Sequence, residues 1–172
     1  MAAKVESAVL TKNKNVARSL LAAWNRKGET HIPDGFAAPN LVTRFPQPNA
    51  AVKSDTAVKS EATKKAATAL PREAFPDQQF QEEIVLAEND LVFIAWSVTG
   101  TNTGPLYGRP ATGKQVTVYG ADVIRLTDGK IVEHWNYHAK ARLVALAKLG
   151  LLDKPMQATL RDNGLLSSVS PE

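Results

Sequence analysis

The stretch KQVTVYGADVIRLTDGKIVEHWNY, residues 114–137, decides the fold. Two runs rich in β-branched and aromatic side chains, Lys114 to Leu126 and Lys130 to Tyr137, flank the tripeptide Thr127-Asp128-Gly129. An Asp-Gly pair readily adopts the positive φ angles of a tight turn. The stretch therefore predicts an antiparallel β-hairpin with long arms.

Helices are predicted on the N-terminal side of this hairpin. From Thr11 to Arg26, apolar residues recur every four positions and Gly28 ends the pattern, which indicates one amphipathic helix. A second helix is predicted from about Ser54 to the residue before Pro71. Between them, the four prolines of residues 29–51 predict irregular structure, with short helical turns around Phe36 to Leu41.

Two more strands complete the predicted sheet, at Phe80 to Leu86 and Leu91 to Thr101, and a short leucine-rich helix follows it and ends at Gly150. Helices followed by a long antiparallel sheet predict an α+β fold in which helices cover one face of the sheet. We expect one domain over residues 11–152, preceded by an extension of residues 1–10 and followed by a tail of residues 153–172.

Composition excludes several classes of protein. The chain has 172 residues, no Cys and a net charge of +4, so disulfide scaffolds, thiolate zinc sites and cysteine nucleophiles are ruled out. The basic residues are not gathered into one patch, which argues against a nucleic-acid partner. The N-terminus lacks the apolar core of a signal peptide, and no run approaches the ~20 apolar residues of a membrane span. We expect a cytoplasmic protein with no membrane partner.

Two motifs suggest sites that their contexts do not support. Residues 108–115, GRPATGKQ, resemble a phosphate-binding loop, but Gln115 replaces the Ser or Thr that holds Mg²⁺, and a strand follows instead of a helix. His134 and His138 are four residues apart, which suits a metal on a helix. On a strand the same spacing covers about 13 Å, too far for one ion. We therefore expect no metal.

Asp122 is the polar residue that stands out on the first arm of the hairpin. Alternation places it on the same face as Val118, Ile124 and Leu126, among buried aliphatic residues. A buried carboxylate is costly without partners, and burial alone raises its pKa toward the range useful for proton transfer. Asp122 is therefore either a functional base or a structural acceptor of hydrogen bonds.

The second arm carries further polar side chains on one face, at His134, Asn136 and His138, and Trp135 lies on the other face. If the polar face points inward, these groups meet Asp122 in one cavity. Such a set suits acid/base chemistry on a carbonyl compound without a cofactor. In the alternative arrangement the polar face is solvated and Trp135 faces the core.

Aromatic residues have two interpretations in this sequence. Trp24, Trp96 and Trp135 are expected to pack in the core, although Trp96 is also a candidate for contact with a substrate. Leu106 and Tyr107 lie in a loop rich in glycine and proline and are candidates for the mouth of a pocket.

Several motifs in one order resemble the SnoaL-like polyketide cyclases. They are Phe75-Pro76-Asp77, WSVTGTNTG (96–104), LYGRPATGK (106–114), GADVI (120–124), DGKIVEHW (128–135) and the final LGLL (149–152). The resemblance implies the nuclear-transport-factor-2-like fold, a strongly curved and mainly antiparallel sheet wrapped by N-terminal helices into a cone with a deep apolar pocket. It also implies one or two short additional strands and a homodimer formed through the outer face of the sheet.

The resemblance also bears on the chemistry. In these cyclases an Asp directly after the equivalent of Trp135 is the general acid/base of a cofactor-free aldol ring closure, and here that position is Asn136. The cyclases carry a histidine where this chain has Asp122, so the carboxylate has moved, and His134 matches a histidine common in the family.

Three hypotheses follow from the sequence. The first is a cofactor-free enzyme acting on an apolar carbonyl or polyketide-like substrate. In it Asp122 is the base, Asn136 and His134 polarise or orient the substrate, and His138 is an alternative acid. The second is a non-catalytic protein that binds a small molecule in the same fold. The third is an interaction module that uses the outer face of the sheet.

Overall fold

The computed structural model describes residues 7–27, 32–44, 70–106, 108–138 and 141–152, together with positions 154, 158 and 162. The predicted second helix, Tyr107 and nearly all of the tail lie outside the described residues. The helices and strands are α1 (Ala8–Lys27), β1 (Ala37–Arg44), β2 (Gln79–Glu88), β3 (Leu91–Thr101), β4 (Gln115–Thr127), β5 (Lys130–Asn136) and α2 (Ala141–Lys148).

The five strands form one sheet in the order β1-β5-β4-β3-β2. The four strands β2 to β5 pair antiparallel with their chain neighbours, as the sequence predicts. The β4–β5 hairpin turns at Asp128 and Gly129, whose φ angles of 50° and 75° match the predicted turn. The α+β fold class is confirmed.

The first strand corrects one prediction. Residues 36–41 were expected to form helical turns, but Ala37–Arg44 is an edge strand that pairs parallel to β5. Its register shifts between Ala37 and Val42, around Pro39, which has no N–H to donate. A short strand that contains a proline and pairs with a segment about ninety residues away leaves no periodic signal in the sequence.

The hydrophobic core lies between α1 and the inner face of the sheet. α1 buries Leu20 and Trp24 on the predicted stripe and packs mainly against β2. Trp24 contacts Phe80, and Phe80 contacts Trp96 edge-on, with ring centroids 5.3 and 5.1 Å apart. Aromatic side chains therefore connect the helix to the middle of β3. Two of the three tryptophans, Trp24 and Trp96, are core residues as expected.

Trp135 lies on the outer face of the sheet, so its predicted place in the core is wrong. Its ring lies between the guanidinium groups of Arg44 and Arg125, at 5.8 and 5.7 Å from the ring centroid. Glu133 accepts hydrogen bonds from both arginines at 2.9 Å. This cluster links the edge strand β1 to β5 and β4 through side chains.

The loop between β3 and β4 is organised by one buried side chain, Asn102. Its Nδ2 donates to the carbonyls of Gly104 and Ala74 at 2.9 and 3.4 Å. Its Oδ1 accepts from the backbone N–H and the hydroxyl of Thr112 at 2.9 and 3.0 Å. Four hydrogen bonds from one fully buried carboxamide thus connect the two ends of the loop, at Gly104 and Thr112, to each other and to Ala74.

We expect Asn102→Ala to lower the free energy of unfolding by about 1–3 kcal/mol, because it leaves buried backbone and hydroxyl groups without partners. Urea denaturation followed by circular dichroism measures the change. Thr103→Ala, at the exposed neighbouring position, is the control and should change stability by less than about 0.5 kcal/mol. Equal effects in the two variants would contradict this role of Asn102.

Candidate active site

The β4–β5 hairpin brings the predicted polar residues together on the inner face of the sheet. Asp122 and Asn136 are directly opposite each other in the register of the two strands, and His134 lies opposite Ile124. Asp122, His134, Asn136 and His138 are exposed by only 0, 4, 1 and 6%. The polar face therefore points inward, and the alternative of a solvated edge is wrong.

Asp122 is held on both carboxylate oxygens. Trp96 Nε1 donates to Oδ2 at 2.6 Å. His134 Nε2 lies 2.8 Å from Oδ1, and since a carboxylate only accepts hydrogen bonds, this nitrogen carries the proton. His138 Nε2 lies 3.6 Å from the same Oδ1. One carboxylate thus faces an indole and two imidazoles.

The pKa of Asp122 is lower than usual, whereas the sequence predicts that burial raises it. Burial is the largest influence and by itself raises the pKa of the carboxyl, as the sequence suggests. The facing His138, together with the hydrogen bonds from His134 and Trp96, outweighs it and holds the pKa below its usual value of 3.8. Asp122 is therefore a carboxylate at neutral pH, and the expected raised pKa is wrong.

The pKa of His138 is also lower than its usual value. Burial lowers the pKa of its imidazole below 6.5 and His134 adds to this effect, while Asp122 opposes it without cancelling it. The imidazole is therefore neutral at pH 7 and able to accept a proton. Its ring contacts Trp96 edge-on, with the two ring centroids 4.9 Å apart. A proton accepted by His138 would be stabilised by the nearby Asp122 carboxylate.

Asn136 presents a buried donor without a partner. Its Oδ1 accepts the backbone N–H of His138 at 3.2 Å, which fixes the orientation of the carboxamide. Its Nδ2 is buried and makes no hydrogen bond. An unsatisfied buried N–H group is costly, and a carbonyl oxygen or an enolate oxygen placed beside it would satisfy it.

The other predicted site residues are Trp96, Leu106 and Tyr107. Trp96 contacts Asp122, so it belongs to the cluster. Leu106 is buried in the hydrophobic core, paired with Arg109 across the loop, and Tyr107 lies outside the described residues. Gly120, which no pattern in the sequence singles out, lies between Trp96 and His138. A Cβ there would come within 2.5 and 2.6 Å of their side chains.

Neither a metal-binding cluster nor a membrane-spanning helix occurs in the described part of the chain. In this part of the chain no three His, Asp or Glu side chains form a metal-binding group. None of its helices has the length and apolar character needed to cross a membrane. A groove of about 810 Å³ lies away from Asp122, between the start of α1 and the β2–β3 hairpin, where Val9, Leu86 and Phe93 line it.

An N-terminal helix over a mainly antiparallel sheet agrees with the nuclear-transport-factor-2-like fold that the resemblance implies. The family model for the SnoaL-like polyketide cyclases matches residues 14–145. The chain belongs to this family. A comparison with curated proteins gives no significant match.

Solved structures agree with this assignment. AclR from Streptomyces galilaeus, described as a candidate hydroxylase, is 28% identical with a TM-score of 0.64, over 84% of this chain and 99% of AclR. A candidate polyketide cyclase from Acidithiobacillus ferrooxidans is 25% identical with a TM-score of 0.59, over 86 and 99% of the two chains. A SnoaL-like protein from Jannaschia sp. CCS1, at 22% identity over 88 and 99% and a TM-score of 0.61, shares the fold.

The lowered pKa values predict how stability depends on pH. A group whose pKa is lower in the folded chain binds more protons when unfolded, so stability falls as pH decreases below the unfolded pKa. We expect the loss to begin near pH 6.5, where His138 titrates in the unfolded chain, and Asp122 to add to it below pH 3.8. Each proton contributes a slope of at most about 1.4 kcal/mol per pH unit.

Urea denaturation at several pH values between 7 and 5 measures this slope. His138→Gln should make it shallower, whatever its effect on the absolute stability. An NMR titration that gives His138 a pKa at or above 6.5 in the folded protein would contradict the prediction.

Proposed function

We propose that the protein is a cofactor-free acid/base enzyme of the aldol cyclase or isomerase type, acting on an apolar carbonyl or polyketide-like substrate. The observation that carries the proposal is the juxtaposition of a neutral imidazole, a buried carboxylate and an unpartnered amide N–H. The imidazole of His138 accepts a proton, and the carboxylate of Asp122 stabilises the imidazolium that forms. The amide N–H of Asn136 binds an oxyanion. Family membership supports the general kind of reaction.

In the proposed reaction, His138 removes a proton from the carbon next to the substrate carbonyl. The electron pair of the broken C–H bond forms an enolate, whose oxygen accepts a hydrogen bond from Asn136 Nδ2. The imidazolium faces Asp122, which makes proton uptake more favourable in a site of low dielectric constant. His134 keeps the Asp122 carboxylate in place through its Nε2–H.

Two products follow from one enolate. In an isomerisation, His138 returns the proton to a different carbon. In an aldol closure, the enolate carbon forms a bond to a second carbonyl carbon, and the alkoxide that results takes the proton from the imidazolium. The base role that the sequence suggests for Asp122 thus passes to His138, because a carboxylate with a lowered pKa is a weak base.

The site is shielded from solvent, which has two consequences for this proposal. Charge interactions inside it are stronger than in water. The side chains around it must move for a substrate to enter, since none of the four polar residues is more than 6% exposed.

The alternative function is binding of an apolar small molecule without catalysis. Two observations favour it: the acid/base position implied by the family resemblance is an amide, and both oxygens of Asp122 already have partners. Under this alternative, Asn136→Asp supplies the missing acid, and a gain of aldol activity on anthraquinone precursors is expected.

Exchange of carbon-bound protons for deuterium tests the proposal without knowledge of the substrate. We expect the protein to accelerate exchange next to the carbonyl of 2-tetralone or anthrone in D₂O, followed by proton NMR. His138→Gln and Asp122→Asn should each reduce the acceleration by about 10²-fold or more, the usual size of a general acid–base contribution.

Glu133→Gln is the matched control and should leave exchange unchanged, because Glu133 lies on β5 beside His134 but points to the outer face. Binding of both ketones with no acceleration above buffer would favour the alternative.

We also propose that two copies of the chain associate through the outer face of the sheet. Large apolar side chains are exposed there in adjacent rows: Ile84, Leu86, Phe93, Tyr119 and Tyr137. Cross-strand pairing places Leu86 beside Phe93, and Phe93 beside Val123. A monomer rarely exposes so continuous an apolar patch, and the same face of a second copy would cover it.

Sedimentation equilibrium measures this association. We expect a species of twice the 18.6 kDa chain mass, and Phe93→Glu should convert it to the monomer because it puts a charge in the centre of the patch. Thr127→Glu, in the exposed β4–β5 turn, is the control and should remain dimeric. A monomeric wild-type protein at micromolar concentration would contradict the proposal.

A further inference from the structure

Trp96 contacts both His138, the proposed base, and Asp122, which stabilises the protonated form of His138. Its Nε1 donates to Asp122 Oδ2 at 2.6 Å, and its ring packs edge-on with the His138 imidazole, the ring centroids being 4.9 Å apart. Trp96 is 1% exposed. A neutral N–H donor at this distance, in a buried site, fixes the carboxylate rotation and leaves Oδ1 directed at the two histidines.

The backbone of β4 leaves room for the indole of Trp96. Gly120 of β4 is the register partner of Trp96. A Cβ at Gly120 would lie 2.5 Å from the Cζ2 and Cη2 atoms of the indole and 2.6 Å from Cβ of His138. Any side chain larger than hydrogen would push the indole and the histidine apart. Glycine at position 120 therefore permits the contact between them.

The far side of the indole is supported by the core. Trp96 meets Phe80 and Trp24 edge-on, at centroid distances of 5.1 and 6.3 Å. These rings connect it to β2 and α1, so the indole is held by aromatic packing as well as by its hydrogen bond to Asp122. The position of the donor N–H is thus set in part by packing against residues outside the polar cluster.

We propose that Trp96 is a positioning residue for this site: its indole N–H orients the Asp122 carboxylate toward His134 and His138, and its ring, received by Gly120, sets the position of His138. The inference rests on the proposed function for its catalytic meaning, while the positioning itself can be tested without any activity.

The electrostatic consequence can be derived from the neighbouring groups. Among the described residues, the titratable groups that face Asp122 are His134 and His138, and Trp96 supplies its remaining hydrogen bond. Removing the indole N–H leaves Oδ2 buried without a donor, so the charged form of Asp122 loses stabilisation and its pKa rises. A carboxyl that protonates more easily stabilises an imidazolium less well.

Trp96→Phe is the decisive variant, because it keeps an aromatic ring against Phe80 and His138 and deletes only the donor and part of the ring. We expect the pKa of Asp122, followed by carboxyl ¹³C NMR from neutral pH down to acid unfolding, to move to higher pH than in the wild type. Deuterium exchange into 2-tetralone should fall by roughly ten- to a hundredfold, the usual effect of losing a hydrogen bond to a charged group. The acid limb of the pH profile, which follows protonation of His138, should move to lower pH, because the imidazolium is stabilised less well.

Trp24→Phe makes the same chemical change in the same aromatic cluster and is the matched control, with no shift expected at Asp122. Gly120→Ala should reproduce the effect of Trp96→Phe, whereas Gly35→Ala, where an added Cβ meets nothing within 4 Å, should not. An unchanged Asp122 pKa in Trp96→Phe, or an equal shift in Trp24→Phe, would overturn the inference. If the pKa moves as expected while the wild-type protein exchanges no protons, the positioning role stands and the proposed function fails.

Discussion

The structure around β4 and β5 depends on one constraint, the burial of the Asp122 carboxylate. A charge that is fully removed from water must be compensated by nearby donors, or it will be protonated. Three elements contribute to that compensation: β3 through the indole of Trp96, β5 through His134, and the segment after β5 through His138. The polar cluster and the core around it are thus parts of one arrangement, in which the indole that binds the carboxylate also packs against the aromatic rings beneath α1.

The register of the β4–β5 hairpin explains how this chain can differ from the cyclases it resembles without losing the geometry. Asp122 and Asn136 are direct cross-strand partners, whose Cβ atoms are typically about 5 Å apart. A carboxylate on either strand would therefore project into the same small volume. By the resemblance, the cyclases carry the acid on the β5 side, and this chain carries it on the β4 side. The two arrangements thus differ in which of two adjacent positions in the site holds the carboxyl group.

Much of this arrangement could be predicted from the sequence, for a specific reason. Alternation along β4 places Asp122 on the buried face, and the Asp128-Gly129 turn then fixes which residues of β5 lie beside it. Long-range properties could not be predicted in this way. The parallel pairing of β1, the outward position of Trp135 between two arginines, and the contact of Trp96 with Asp122 depend on segments far apart in the chain. The sequence predicts the wrong direction for the pKa of Asp122 for the same reason, because its hydrogen-bond donors come from other strands.

The two edges of the described sheet share a property that limits how copies of the chain can meet. At one edge, β1 carries Pro39 and a break in register. At the other, β2 has an irregularity between Glu82 and Ile84, with the charged residues Glu82 and Glu83 beside it. Bulges, prolines and charges at edges hinder the addition of further strands. Backbone pairing that would extend the sheet from one molecule into the next is therefore disfavoured at both ends, and contact between molecules is left to side chains.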